Sequence, residues 1–229
     1  MPTPVTHVLF DMDGLLLNTE NAYTDVNNEI LAPYGKVQTW DVKAKMMGSK
    51  ERDAAEFFVR HYELPLSADE YIAQRRRKLE ERFPQSVPLP GVIKLVTHLK
   101  QHAVPMCVAT SSHRMGFELK TSRNQALFAL FDGNVVCGDD SAIKEGKPAP
   151  DIFLEAAKKI GFAGMDYSQC LVFEDSLLGA QAGIAACAQV VLIPDENLDL
   201  DPEVVANCAK VLKSMKDFVP EEFGLPAYP

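Results

Sequence analysis

Five short apolar runs recur along the chain, and their length and spacing limit its fold more than any other feature. They occupy residues 5–10, 104–109, 135–137, 170–173 and 190–193. Each has about the length of a buried strand and is bounded by Asp, Ser, Gly or Pro. Strands this continuously apolar suit a parallel sheet covered on both faces. Helical patterns lie between them. Val92, Leu95, Val96 and Leu99 repeat at helical spacing. Residues 150–160 open with Pro and Asp and stop at Gly161, and residues 177–187 are rich in Ala and Gly. The alternation predicts an α/β chain with a doubly wound parallel sheet.

One stretch breaks the alternation. Residues 18–83 carry helix patterns only: 22–33 closed near Gly35, a second capped by Thr39 and ending at Gly48, a third capped by Ser49 and a fourth toward Phe83. Ser67 and Glu70 form a capping-box pattern at the start of the fourth. This predicts a helical domain, 18–83, inserted into a core of 1–17 and 84–229, with Pro84, Pro88 and Pro90 marking the return. The insert holds 11 basic and 12 acidic residues, so it is near neutral within a chain of net charge −9. Its run Arg75–Arg76–Arg77–Lys78 reads as a solvated face paired with Glu80 and Glu81.

Composition narrows the function classes. A chain of 229 residues with 47% hydrophobic content builds a core. Net charge −9 disfavours nucleic-acid binding, which needs clustered Lys and Arg. No apolar run reaches the ~20 residues of a membrane helix, and the first residues lack a secretory pattern. The five cysteines form no CxxC and read as reduced core thiols. Together these predict a cytoplasmic protein with no nucleic-acid or membrane partner.

Three strand ends and one turn before a helix carry chemistry. Asp11 and Asp13 flank Met12 after the first run, before Gly14. In an open α/β sheet ligands bind at the carboxyl ends of strands. One carboxylate can attack phosphorus as a nucleophile, and a second can shuttle a proton. Thr110, Ser111 and Ser112 end the second run and offer hydroxyls and backbone N–H groups to a phosphate. Lys147, held before Pro148, can neutralise a phosphate and a carboxylate. Glu174 and Asp175 end the fourth run, where two adjacent buried acids need a cation. An oxygen-only set of this kind suits Mg²⁺. As a set the residues describe a phosphoryl-transfer centre.

In this order the segments FDMDGLLLNTE, VATSS, GKPAPDIF and VFEDS resemble the four motifs of the haloacid-dehalogenase-like hydrolases, subclass I, with a C1 helical cap. The resemblance spans essentially the whole chain and implies a Rossmann-like core. It is most similar to the pseudouridine-5′-phosphatase group, through WDVKAKMMGSK, VATSSHRMGFELKTSR and FGLPAYP as well. It implies Asp11 as nucleophile, Asp13 as acid/base, and Thr110, Ser111, Ser112 and Lys147 as phosphate-binding residues. Asp11, Asp175, Glu174 and the carbonyl of Asp13 would hold Mg²⁺. Cap residues Glu20, Gly48, Ser49 and Lys50 would set specificity. Asn18 departs from the usual Asp of these proteins and lies near the cap hinge.

The implied function is a Mg²⁺-dependent phosphatase of a small phosphate monoester, a nucleotide or a sugar or polyol phosphate, with pseudouridine 5′-phosphate first. The protein is expected to be a monomer whose partner is a small phosphorylated metabolite. Alternatives are glycerol-3-phosphate or 2-deoxyglucose-6-phosphate phosphatases, a β-phosphoglucomutase-type mutase, and a catalytically silent interaction protein. Such mutases carry a His where this chain has Tyr23, true dehalogenases lack the second Asp, and a silent relative would have lost one of the four key residues.

Overall fold

The computed structural model describes residues 3–46 and 51–229. Its centre is a six-stranded parallel sheet in the order β3-β2-β1-β4-β5-β6. The strands are β1 (His7–Phe10), β2 (Met106–Thr110), β3 (Val135–Cys137), β4 (Cys170–Glu174), β5 (Gln189–Leu192) and β6 (Lys210–Val211). The five apolar runs correspond to β1–β5, within two residues at each end. β6 has two residues and no apolar run, so hydrophobic pattern alone does not reveal it.

Alternate side chains of each strand enter opposite faces. On one face Val8, Phe10, Val108 and Phe173 pack with Val92, Leu95, Val96 and Leu99. On the other, Leu9, Cys107, Ala109 and Val172 pack with Ile152, Phe153, Ala156 and Ala157. Both faces are therefore covered, as continuous apolar strands require.

The helices are α1 (Glu20–Leu31), α2 (Trp40–Met46), α3 (Glu51–His61), α4 (Ala68–Arg82), α5 (Val92–Gln101), α6 (Arg114–Thr121), α7 (Gln125–Phe128), α8 (Asp151–Lys159), α9 (Leu177–Ala185) and α10 (Pro202–Asn207). Small residues let α9 lie close to the sheet. A Cβ on Gly183 would stand 2.7 Å from Val190 Cγ2.

Helices α1–α4 share an apolar cluster that includes Val26, Ile30, Phe58, Tyr71 and Leu79. Phe58 and Tyr71 stack at 4.6 Å. The Ser67 capping box is present, with Glu70 N–H donating to Ser67 Oγ and Ser67 N–H donating to the Glu70 carboxylate. The two segments joining these helices to the sheet run side by side, with Asn18 N–H donating to Val87 O at 2.9 Å and Leu89 N–H to Leu16 O at 3.1 Å.

The basic run of α4 differs from its expected pairing. Arg76 pairs with Glu51 and Lys78 with Glu29, while Arg75 donates to Asn27 and covers the Tyr23 ring. Neighbouring helices, more than neighbouring turns of α4, supply the partners. The thiols differ in part too: Cys107, Cys137 and Cys170 are buried, Cys208 is half-buried, and Cys187 is exposed after α9.

Candidate active site

Parallel pairing of β2, β1 and β4 brings their carboxyl ends together, so residues far apart in sequence become neighbours. Asp11 follows β1, and its N–H donates to Phe173 O at 3.0 Å. Lys147 reaches into the same place. Its ammonium lies 2.5 Å from Asp11 Oδ1 and 2.5 Å from Glu174 Oε1.

Glu174 is held from both sides. Its second oxygen accepts from Asp175 N–H at 3.0 Å, Ser176 N–H at 3.1 Å and Ser176 Oγ at 2.9 Å. Ser176 in turn caps α9 by accepting from Gly179 N–H. The backbone of Gly179 passes so close that a Cβ there would lie 1.8 Å from Glu174 Oε1. With both oxygens engaged, Glu174 orients Lys147.

Electrostatics sets this group apart. Burial, only partly offset by Lys147, raises the Asp11 carboxyl to about 7. Burial, then the charges of Glu174, Asp11 and Glu20, push Asp175 well above the usual carboxylate range. Lys147 moves the other way. Burial would lower its pKa, but Asp11 and Glu174 overcome that and hold it protonated. Three carboxylates against one ammonium leave excess negative charge in a buried place. Asp11, Glu174 and Asp175 bring oxygens within 4.8 Å of one another. This hard, oxygen-only set fits a divalent cation such as Mg²⁺.

Asp13 faces elsewhere. β1 ends at Phe10, Gly14 turns the chain with φ +79°, and Gly14 N–H closes onto Leu17 O. Sequence spacing in an extended strand would give both acids one face, but they engage different partners. Asp13 Oδ2 accepts from Ser112 Oγ at 2.8 Å and Thr110 Oγ1 at 3.4 Å, and Oδ1 lies 2.6 Å from Lys120 Nζ. Burial would raise the Asp13 pKa, but Lys120, with hydroxyl hydrogen bonds, holds it below the ordinary value. The Asp13 side chain is therefore not part of the acidic cluster.

Thr110 is buried, and its Oγ1 accepts from Ser112 N–H at 3.1 Å. Ser111 is exposed at the rim of a cavity of about 810 Å³. Asp13, Glu20, Tyr23, Arg75, Ser112 and Lys120 are among the residues that line this cavity. Glu20 opens α1 and pairs with Lys43 at 3.1 Å. Gly48, Ser49 and Lys50 lie outside the described residues. Lys120 was not among the residues expected from sequence. On a short helix beside Leu119 it reads as solvent-facing, and only the packing of α1 and Phe83 over α6 buries it.

Residues 5–186 match the family model for haloacid dehalogenase-like hydrolase. The chain belongs to that hydrolase family. It is 46% identical to probable pseudouridine-5′-phosphatase of Drosophila melanogaster, over 98% of this chain and 96% of the fly protein. It is equally 46% identical to (DL)-glycerol-3-phosphatase 1, mitochondrial, of Arabidopsis thaliana, over 98% of this chain and 75% of the plant protein. A HAD family hydrolase of Deinococcus radiodurans R1, solved with phosphate and sodium, shares the fold with a TM-score of 0.80 at 22% identity, covering 99% of this chain and 100% of the other. Among the described residues no helix is long and apolar enough to cross a membrane.

Proposed function

We propose that this protein is a Mg²⁺-dependent phosphatase of small phosphate monoesters that works through an aspartyl-phosphate. The observation that carries this reading is the separation of the two aspartates. Asp11 sits with Lys147 at the acidic cluster, while Asp13 sits 2.8 Å from Ser112 at the cavity edge. That separation supports a reading in which one acid takes a phosphoryl group and the other handles a proton.

In this reading Asp11 attacks phosphorus, and the ester oxygen departs with a proton that Asp13 receives from the singly protonated phosphate ester and hands on. Asp13 then takes a proton from water as it cleaves the acyl phosphate, the two halves of one acid/base cycle. Thr110, Ser111 and Ser112 hold phosphoryl oxygens, and Lys147 keeps phosphate and nucleophile from repelling one another. Asp11, Asp175 and the Asp13 carbonyl would hold Mg²⁺, with Glu174 binding it directly or through water. When bound, the ion neutralises charge on the transferring group. Residues 18–83 act as a cap that closes over the cavity and sets specificity, with Glu20 facing the leaving group and Gly48, Ser49 and Lys50 contributing to substrate choice.

The relatives' names support nucleotide and polyol phosphates as substrates. A cavity of about 810 Å³ gives room for a nucleoside, so pseudouridine 5′-phosphate is the first candidate. Phosphate release over a panel of pseudouridine 5′-phosphate, nucleoside monophosphates, glycerol 3-phosphate and sugar phosphates tests the reading. Release that needs Mg²⁺, stops with EDTA and is absent in Asp11→Asn is expected. Undiminished release by a folded Asp11→Asn variant would overturn it.

A further inference from the structure

Lys120 joins three separate parts of the chain at Asp13. Its ammonium pairs with Asp13 Oδ1, donates to Ser112 Oγ at 2.8 Å and donates to Tyr23 Oη at 3.1 Å. Ser112 Oγ donates onward to Asp13 Oδ2, which closes a ring of Lys120, Ser112 and Asp13. The ammonium also lies 4.5 Å from the Phe83 ring centre, and the Arg75 guanidinium lies over the Tyr23 ring at 4.8 Å. The Lys120 side chain is 2% exposed and that of Asp13 21%. The lysine is therefore sealed beneath a carboxylate that itself meets the cavity.

A buried ammonium is costly to desolvate and persists where paired and hydrogen-bonded groups surround it. Here those groups come from the turn after β1, from Ser112 in the loop between β2 and α6, and from Tyr23 and Phe83 at the two ends of the α1–α4 helical cluster. The ammonium beside Oδ1 and the Ser112 and Thr110 hydroxyls donating to Oδ2 restrict the freedom of the Asp13 carboxylate to turn. We infer that Lys120 is a positioning residue, which fixes the Asp13 carboxylate at the cavity edge and ties that orientation to the seating of α1 through Tyr23. The inference rests on the reading of Asp13 as acid/base. Lys120 acts through Asp13, so its loss falls on the step that protonates the leaving alcohol. An alkyl ester needs that proton, whereas p-nitrophenolate departs without it. The ratio kcat/KM covers steps through release of the alcohol and leaves out the later hydrolysis.

The test compares kcat/KM for p-nitrophenyl phosphate with that for an alkyl phosphate turned over by the wild type, pseudouridine 5′-phosphate or glycerol 3-phosphate. Thermal unfolding is followed in parallel. Lys120→Met is expected to lose about 100-fold on the alkyl ester and less than about 5-fold on the aryl ester, the scale of lost acid catalysis. Lys120→Arg is expected to recover about 10-fold of the loss by restoring a donor and a charge. Tyr23→Phe keeps the ring and should lose in the same selective sense, by about 5-fold. Equal losses on both esters, or none, in folded Lys120→Met would overturn the inference. Should Lys120→Met not fold, Tyr23→Phe decides alone, its selective loss supporting the inference and its absence overturning it. Asp13→Asn separates the two claims. A selective loss in Asp13→Asn but not in Lys120→Met overturns only the role of Lys120. An unselective Asp13→Asn overturns the acid role of Asp13, and this inference with it.

Discussion

Asp11 and Asp13 stand two residues apart and answer to different lysines. Lys147 serves Asp11 and Glu174, and Lys120 serves Asp13. Neither pairing was visible in the spacing of the acids. Lys147 was legible because it precedes a Pro at the mouth of a helix. Lys120 carried no signal, since burial by the helical cluster depends on contacts between distant segments. Removing Lys147 would leave Asp11 and Glu174 facing each other without a cation. Lys147→Met is expected to lose about 3 kcal/mol of stability along with turnover, read by urea unfolding and phosphate release. A variant as stable and active as the wild type would contradict the placement.

Strands and helices show where sequence speaks and where it falls silent. β1–β5 were legible because burial on both faces makes each a continuous apolar run. The capping box at Ser67 was legible because its two hydrogen bonds are local. β6 is too short for a pattern, and α6 and α7 are brief helices whose buried faces depend on their neighbours. At this scale α9 is expected to resist growth. Gly179→Ala would set a methyl against a Glu174 carboxylate pinned by Lys147 and two backbone N–H groups. A loss of about 2 kcal/mol in urea unfolding, with reduced activity, is predicted. The loop after β3 makes a pH prediction. Burial would raise the pKa of Asp140, but Cys137 N–H and the Arg114 guanidinium hold it below 3.8. A depressed folded pKa means stability that is present above the unfolded value and lost as pH falls through the folded one. Acid unfolding of Asp140→Asn should therefore show a shallower fall below pH 3.8 than the wild type. Identical acid limbs would contradict the bracket.

The whole molecule couples a sheet that gathers three strand ends and the Lys147 turn to a helical cluster that shares a cavity with them. The alternation of apolar runs made the sheet legible and the helix-only stretch marked α1–α4 as helices, whereas the cavity beside them arises only from packing. The charge of the Asp11, Glu174 and Asp175 cluster makes a molecule-wide prediction. A divalent cation that binds the folded protein alone should stabilise it by about 2.7 kcal/mol at a hundred times its Kd. Mg²⁺ is expected to raise Tm in the wild type, and Asp175→Asn to abolish most of that rise. An equal rise in the variant would remove Asp175 from the metal site. The most direct measurement of the central claim is an acid quench of Asp13→Asn during turnover, followed by peptide mass spectrometry. The account predicts one phosphoryl group, labile to hydroxylamine, on the peptide that contains Asp11. Slow turnover with no phosphoryl group on that peptide, or a phosphoryl group elsewhere, would contradict it.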